Sequence, residues 1–415
     1  MIIKLNKQLG EKIVFIALCL TPFLGIYENS IVLVITVLPL VIFVLMRLFN
    51  RTKLRADYLM GLIGWSLLGT VLYCLSDSTT RNNVFILYIT IFTLEFLDYK
   101  ELRFSFINIY KFFAWFSVAF LFCQVLAFYL LGYNLTFTIP FLDVTDSMRE
   151  SFRYLSYYSR NTIGVRFFGS LYEPAAYSEY VIPLLMLTLF DKSISNRKKT
   201  IFSLIISISI VLTISSIGLI LTIFAWLLYF CFYGEIRRRR LILAPIGIVL
   251  LITTDIYIYN HSPVIHNQIY RVLSNDPTKT GYRLFRGFSY YFQSPIINKI
   301  IGVGYMNGVR WAKMHGISSI YDSINMVSAE VEYFNGISQT FLYFGIGGFL
   351  FVLCYYISNF KKASRVGRVM WIMYFLLIIG SSHLFRGMGA IYLMLCMMFE
   401  RGYDDDSHFD NSLWC

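Results

Sequence analysis

The stretch NHSPVIHNQIYRVLSNDPTKTGYRLFRGFSYYFQSPIINKIIGVGYMNGVRWAKMHGISSIYDSINMVSAEVEYFN, residues 260–335, decides how this chain is read. It is the longest run without a membrane-length apolar segment, and hydrophobic blocks flank it on both sides. It carries Arg271, Arg283, Arg286 and Arg310, the Gly-rich turn Gly302-Val303-Gly304-Tyr305, and then Glu330 and Glu332. A shorter polar stretch, Tyr133 to Tyr177, carries Arg153, Arg160, Arg166 and the pair Glu173-Pro174. Everything else reads as a membrane scaffold that brings these two stretches together on one side of a bilayer.

Composition supports the scaffold. Of 415 residues, 57% are hydrophobic and only 14% charged, and the mean hydropathy is +0.62. That is the profile of a polytopic membrane protein. The 31 Tyr and 38 Phe suit a chain with bilayer interfaces, where a tyrosine ring is apolar and its hydroxyl reaches water. The net charge of +12 would suggest nucleic acid in a soluble protein. Here much of it sits in short clusters between apolar segments, which points to membrane orientation and away from nucleic-acid binding. The seven cysteines avoid both polar stretches and show neither metal spacing nor a disulfide framework. The basic N-terminus (Lys4, Lys7, Lys12) leads into an apolar segment without a small-residue cleavage site, which predicts a first spanning helix and not a removed signal peptide.

A bilayer core takes roughly 20 apolar residues per helix. That ruler predicts an all-α polytopic fold of about twelve segments, near 12–27, 31–48, 57–75, 84–97, 106–131, 177–190, 200–214, 217–233, 241–259, 336–358, 369–385 and 387–400. The chain then divides into N-terminal spans (1–132), a first outer loop (133–176), central spans (177–259), a large outer loop (260–335), C-terminal spans (336–400) and a polar tail (401–415). Basic clusters follow every even segment up to the tenth: Arg47 to Arg55, Lys100 and Arg103, Arg197 to Lys199, Arg237 to Arg240, and Lys361 to Arg368. Positive loops resist translocation, so these connections and both termini are expected in the cytoplasm. Both long polar stretches are then expected outside it. Their arginines break the positive-inside pattern. Loop length alone excuses such charge, but Arg outnumbers Lys there and suits the forks that grip phosphate.

Three motifs carry the chemistry. Arg166-Phe167-Phe168-Gly169-Ser170-Leu171-Tyr172-Glu173-Pro174 places a carboxylate and a helix-starting proline at the mouth of the sixth segment. Read alone, Glu173 is explained as a cap favoured by the free N–H groups and the dipole. Arg283 and Arg286 are three residues apart and share a face if helical. Gly302 and Gly304 allow a tight turn or a close backbone approach. They make no dinucleotide fingerprint, since the third glycine spacing and the βαβ setting are missing. Glu330, Glu332 and Asn335 lie at the start of the tenth segment, which runs on through Gly345-Ile346-Gly347-Gly348.

The order of these parts resembles the bacterial O-antigen polymerases (Wzy), within the wider group of O-antigen polymerases and ligases. The parts are Arg-x-x-Gly then Glu-Pro before a spanning helix, the Ser215-Ser216-Ile217-Gly218 turn, an outer loop with Arg and Gly-Val-Gly-Tyr, and Asn335-x-x-x-Gln339 opening a Gly-Ile-Gly-Gly helix. The resemblance covers about Arg166 to Leu350; the first five segments match in hydropathy only. The ligases often carry a His before the Asn at the late helix, where this chain has Phe334. His315 and His383 do not occupy that place. The resemblance implies a glycosyltransferase of the inner membrane acting at its periplasmic face, without cofactor or metal. It implies undecaprenyl-pyrophosphate-linked oligosaccharide as donor and acceptor, and a chain-length regulator of the Wzz type as partner. Arg166, Arg283 and Arg286, with Arg310 and Arg271 behind them, would hold the pyrophosphate. Glu173 and Glu332 compete as the base that takes the acceptor proton. Tyr305 and Asn335 stand as further substrate contacts. Two rival readings remain open from sequence: an O-antigen ligase or related glycosyltransferase, and a lipid-linked oligosaccharide flippase. Sparse charge inside the spans counts against the flippase.

Overall fold

The computed structural model describes residues 7–24, 27, 30–50, 61, 63–65, 67, 78–139, 142, 144, 159–162, 164–191, 193–232, 260, 282–319, 334–381 and 387–400. Their regular structure is all helical, as hydropathy predicts. The helices are α1 (Lys7–Leu24), α2 (Ser30–Phe49), α3 (Ser78–Phe96), α4 (Tyr99–Leu126, continued by a π turn Ala127–Leu131), α5 (Pro174–Phe190), α6 (Asn196–Val211) and α7 (Ser216–Phe232). They continue with α8 (Tyr282–Gln293), α9 (Ile296–Ile301), α10 (Gly308–Met314), α11 (Gly336–Lys362), α12 (Arg365–Gly380) and α13 (Gly387–Met397). Among the described residues, the β features are two isolated bridges, Tyr27 with Val144 and Ala363 with Glu400.

Among the described residues, three stretches are long and apolar enough to cross a membrane: Val32–Phe49, Leu102–Leu131 and Gly336–Lys362. Val84–Phe96, Pro174–Phe190, Ser216–Cys231 and Gly387–Met397 are shorter apolar helices. Of the expected segments, 57–75 is described only at 61, 63–65 and 67, and 241–259 lies outside the described residues. Arg271, Glu330, Glu332, His383 and Arg386 also lie outside them.

Burial runs opposite to that of a soluble bundle. α2, among the most apolar helices, turns Leu33, Val34, Ile35, Leu38, Ile42, Leu45 and Leu48 outward. The short α5 is buried at every position from Ala176 to Phe190, packed among α4, α6, α7, α12 and α13. Such an outward apolar surface fits a bilayer and would be a liability in water. Hydroxyls inside the apolar helices satisfy themselves by bonding back one turn: Ser178 Oγ to the Pro174 carbonyl at 2.9 Å, Thr188 Oγ1 to Leu184 at 2.8 Å, Thr340 Oγ1 to Gly336 at 2.7 Å. Without water, a polar group must find its partner within the protein, and its own helix offers the nearest one.

The bundle has two chemically different ends. At one, the Phe167 N–H donates to the Leu212 carbonyl (3.4 Å), and Ser178 Oγ meets Thr213 Oγ1 (3.0 Å). Ile217 there packs on Gly380, and the Gly336 N–H donates to the Ser381 carbonyl (2.8 Å). The Ile139 N–H donates to the Tyr27 hydroxyl at 2.8 Å, and Thr21 packs on Gly387. These contacts gather the starts of α5, α7, α11 and α13 and the finishes of α1, α6 and α12. At the other end Arg47 pairs with Glu11, the Ser364 N–H donates to the Phe399 carbonyl (2.8 Å), and the Arg103 guanidinium lies 4.6 Å over the Phe399 ring. Lys361, Lys362 and Arg365 are at this end, on the connection from α11 to α12.

Candidate functional site

The first polar stretch is held from below by a residue the sequence reading passed over. Gln124, fully buried on α4, accepts from the N–H groups of Phe168 (3.2 Å) and Gly169 (2.9 Å) and donates to the Leu135 carbonyl (2.8 Å). One amide side chain thereby satisfies three backbone groups that have no helix to serve them. Gly169 is at φ +60, and a Cβ there would press the Tyr177 ring at 2.8 Å, so the glycine of the Arg-x-x-Gly pattern is required twice over. Ser170 bonds Ser117 of α4 at 2.8 Å. Arg166 is half-buried, between the core residues Val165 and Phe167.

Glu173 occupies the N-cap position of α5 in extended conformation, with Pro174 opening the helix, yet its side chain makes no capping hydrogen bond. The cap expected on sequence grounds is therefore present in position and not in function. The free N–H groups and dipole of the helix start still favour a carboxylate there.

The second stretch is organised around a break in α11. Gly345 sits inside that helix at φ 65, ψ −171, a conformation other residues avoid. Breaking the helix there frees carbonyls one turn upstream, and each finds a donor from elsewhere. The Leu342 carbonyl accepts from the Val303 N–H (2.9 Å), Tyr343 from the Gly304 N–H (3.1 Å), and Phe344 from Trp65 Nε1 (2.6 Å). Gly302, at φ +85, faces the Tyr343 carbonyl so closely that no Cβ fits, and Gly345 faces the Ile300 carbonyl likewise. The Gly-rich turn is thus a backbone clip on a broken helix. The sequence allows a tight turn or a close approach, and the structure shows the approach, to Leu342 and Tyr343. Gly347 and Gly348 make the slot for the Trp65 ring.

Above this clip lies Arg286. It is 1% exposed on α8. Its Nε donates to the Tyr290 hydroxyl at 3.1 Å, and its guanidinium lies 5.4 Å from the Tyr290 ring centre and 5.7 Å from that of Phe334. Aromatic faces attract a cation through the ring quadrupole. Phe334 is therefore packing for an arginine. Asn335 caps α11: its Oδ1 accepts from the Ser338 N–H at 2.7 Å. Gly287 lets α8 pack against Ser338, where a Cβ would meet the hydroxyl at 2.5 Å. Arg283 is on the same helix, one turn before Arg286. Arg310 is half-buried on α10. Tyr305 is packed inside, its ring stacked on Phe344 (6.3 Å, 12°) and edge-on to Tyr343 (5.7 Å).

The expected site residues therefore fall in two groups. Arg166 and Glu173 belong with the first core, around α5; Arg286, Tyr305 and Asn335 belong with the second, around α8–α11. Both groups are at the same end of the bundle, joined through Leu212, Ile217, Gly380, Ser381 and Gly336. Beyond Gln124, sequence reasoning missed Glu179, a carboxylate on the buried α5 that is itself 3% exposed. A single acid or amide inside an apolar segment was the available signal for both. Among the described residues, no group of three or more His, Cys, Asp or Glu could hold a metal. No protein-family model matches the chain, and a search of curated proteins returns no match.

Proposed function

We propose that this protein is an O-antigen polymerase of the bacterial inner membrane. It joins undecaprenyl-pyrophosphate-linked repeat units on the periplasmic face. The observation that carries the reading is the separation of the two ends. Arg166, Glu173, Arg286 and Asn335 gather at one end of the bundle, and Arg103, Lys361, Lys362 and Arg365 at the other. Positive connections stay in the cytoplasm, which leaves the first group on the periplasmic side.

In this reading an acceptor sugar hydroxyl attacks the anomeric carbon of the donor chain. The new glycosidic C–O bond forms as the bond to pyrophosphate breaks, and the electron pair leaves with undecaprenyl pyrophosphate. Arg166, Arg283 and Arg286 stabilise that departing charge through fork-shaped contacts. Glu173 takes the hydroxyl proton, with Glu332 as its rival. Bond energy comes from the donor itself, so no nucleotide is needed.

The test uses purified protein in lipid vesicles with a lipid-linked repeat unit as sole substrate. Longer lipid-linked chains are expected, and Arg286→Ala and Arg166→Ala should each abolish them, with Lys rescuing incompletely because a point charge replaces a fork. Transfer only to lipid A core would identify a ligase. Movement of intact substrate across the bilayer without elongation would identify a flippase.

A further inference from the structure

We propose that α8 and α9 are inserted into the bilayer beside α11, with their outer face against lipid acyl chains. The proposal rests on reading α11 as a membrane-spanning helix. The contacts between the two elements step down α11 in order. Gly287 meets Ser338, Phe288 and Tyr291 pack on Phe341 (5.9 and 5.2 Å between ring centres), and the chain after α9 is bonded to Leu342 and Tyr343. Gly345, against which Ile300 rests, is nine residues into α11. At about 1.5 Å per residue that is ~13 Å below the helix start, close to the middle of a hydrocarbon core of ~30 Å. A second marker agrees: Trp65, from the middle of the apolar segment 57–75, donates to the Phe344 carbonyl at the same level.

The outer face has the chemistry of that depth. Phe285, Phe292, Ile296, Ile297 and Ile300 are 54%, 67%, 74%, 58% and 45% exposed. The polar groups lie inward or are satisfied. Arg286 and Asn298 are buried, and Ser294 Oγ donates to the Tyr290 carbonyl at 2.7 Å. The exposed Gln293 donates to Ser289 and to the Ser318 carbonyl, at 3.1 Å each. Lys299 is half-buried, a position from which its stem can carry the ammonium toward the interface. Irregular backbone at membrane depth must be satisfied by protein. Here the N–H groups of Gly302, Val303 and Gly304 are all bonded, to Asn298, Leu342 and Tyr343. An amphipathic helix lying on the headgroups would stop short of Ile300's level.

Nitroxide labels on single cysteines test this in the full chain, otherwise free of cysteine, in phosphatidylcholine–phosphatidylglycerol vesicles. Collisions with oxygen, which concentrates in lipid, are compared with collisions with a water-soluble nickel chelate. Labels at Phe292, Ile297 and Ile300 should give an oxygen-to-nickel ratio matching Leu38 and Leu350, on the outer faces of α2 and α11, and several-fold above Lys361. Ile300 should lie deeper than Phe292. Nickel access at 292, 297 and 300 with lipid-like Leu38 and Leu350 would overturn the insertion alone. Nickel access at Leu38 and Leu350 as well would overturn the spanning reading beneath it. Exclusion of both reagents at the α8–α9 positions would mean a protein partner or a second copy covers the face, which also overturns the proposal.

Discussion

α5 and α11 begin at the same end of the bundle, each on a polar residue in extended conformation, and they solve opposite problems. α5 is short, continuous and buried from Ala176 to Phe190, and the side chain at its N-cap position, Glu173, does not cap it. α11 is long, partly outward-facing and broken at Gly345, and its N-cap residue, Asn335, caps it with a 2.7 Å hydrogen bond. A helix surrounded by protein is held by packing, so the side chain at its start is not required for capping. A helix at the edge relies on local bonds: a cap at its mouth and backbone donors at its break. The contrast gives Asn335 a capping role and Glu173 none; the base role of Glu173 belongs to the proposed function.

Four substitutions can break or sharpen that contrast. The largest effect is expected for Glu173→Gln, which keeps shape and an acceptor oxygen but removes the base. Rate should fall by roughly 10²–10⁴, with the melting temperature in detergent unchanged. Normal turnover here with a dead Glu332→Gln would exchange the two roles. Next is Gly345→Ala. The backbone conformation, φ 65 and ψ −171, is essentially confined to glycine and costs another residue ~1–3 kcal/mol, and the overlap with the Ile300 backbone adds to it. A marked drop in melting temperature is expected, against a slight rise for Gly10→Ala, a helical glycine with open space around it. Equal behaviour of the two would remove the clip from the account. Trp65→Phe should come third. It leaves the Phe344 carbonyl without its indole donor, worth about 1–3 kcal/mol, and the loss is readable as faster proteolysis near the break. Smallest is Asn335→Ala, expected to cost ~1 kcal/mol of stability and to leave the turnover of folded protein nearly intact. A large loss of rate at full stability would make Asn335 a substrate contact after all.

Much of this was legible from sequence, and the gaps have physical causes. Apolar runs of bilayer length report helices directly, because a chain in lipid has few other ways to satisfy its backbone. The start at Pro174 was readable locally, whereas the break expected at Ser215 to Gly218 falls a little earlier, at 212–215, with Ser216 already opening α7. The Gly302–Gly304 approach was readable as a need for glycine, but its partner was not: contact between residues 303 and 342 is set by tertiary packing. Gln124 and Glu179 escaped because hydropathy averages a single polar residue away inside a long apolar run. Glu173 shows the converse limit. Its place before Pro174 and the helix dipole fit a cap, and only the coordinates show that its side chain does not make the bond.

The central claim is that the two arginine-bearing stretches share one side of the membrane, opposite the basic connections. Asn161, Lys313, Asn196 and Lys361 are all exposed. Single cysteines at those four positions, in an otherwise cysteine-free chain, can be challenged in spheroplasts with a membrane-impermeant thiol reagent. Positions 161 and 313 should label from outside, and 196 and 361 should label only after the membrane is opened. Labelling of 161 and 313 from opposite sides, or of 361 from outside, would contradict the account.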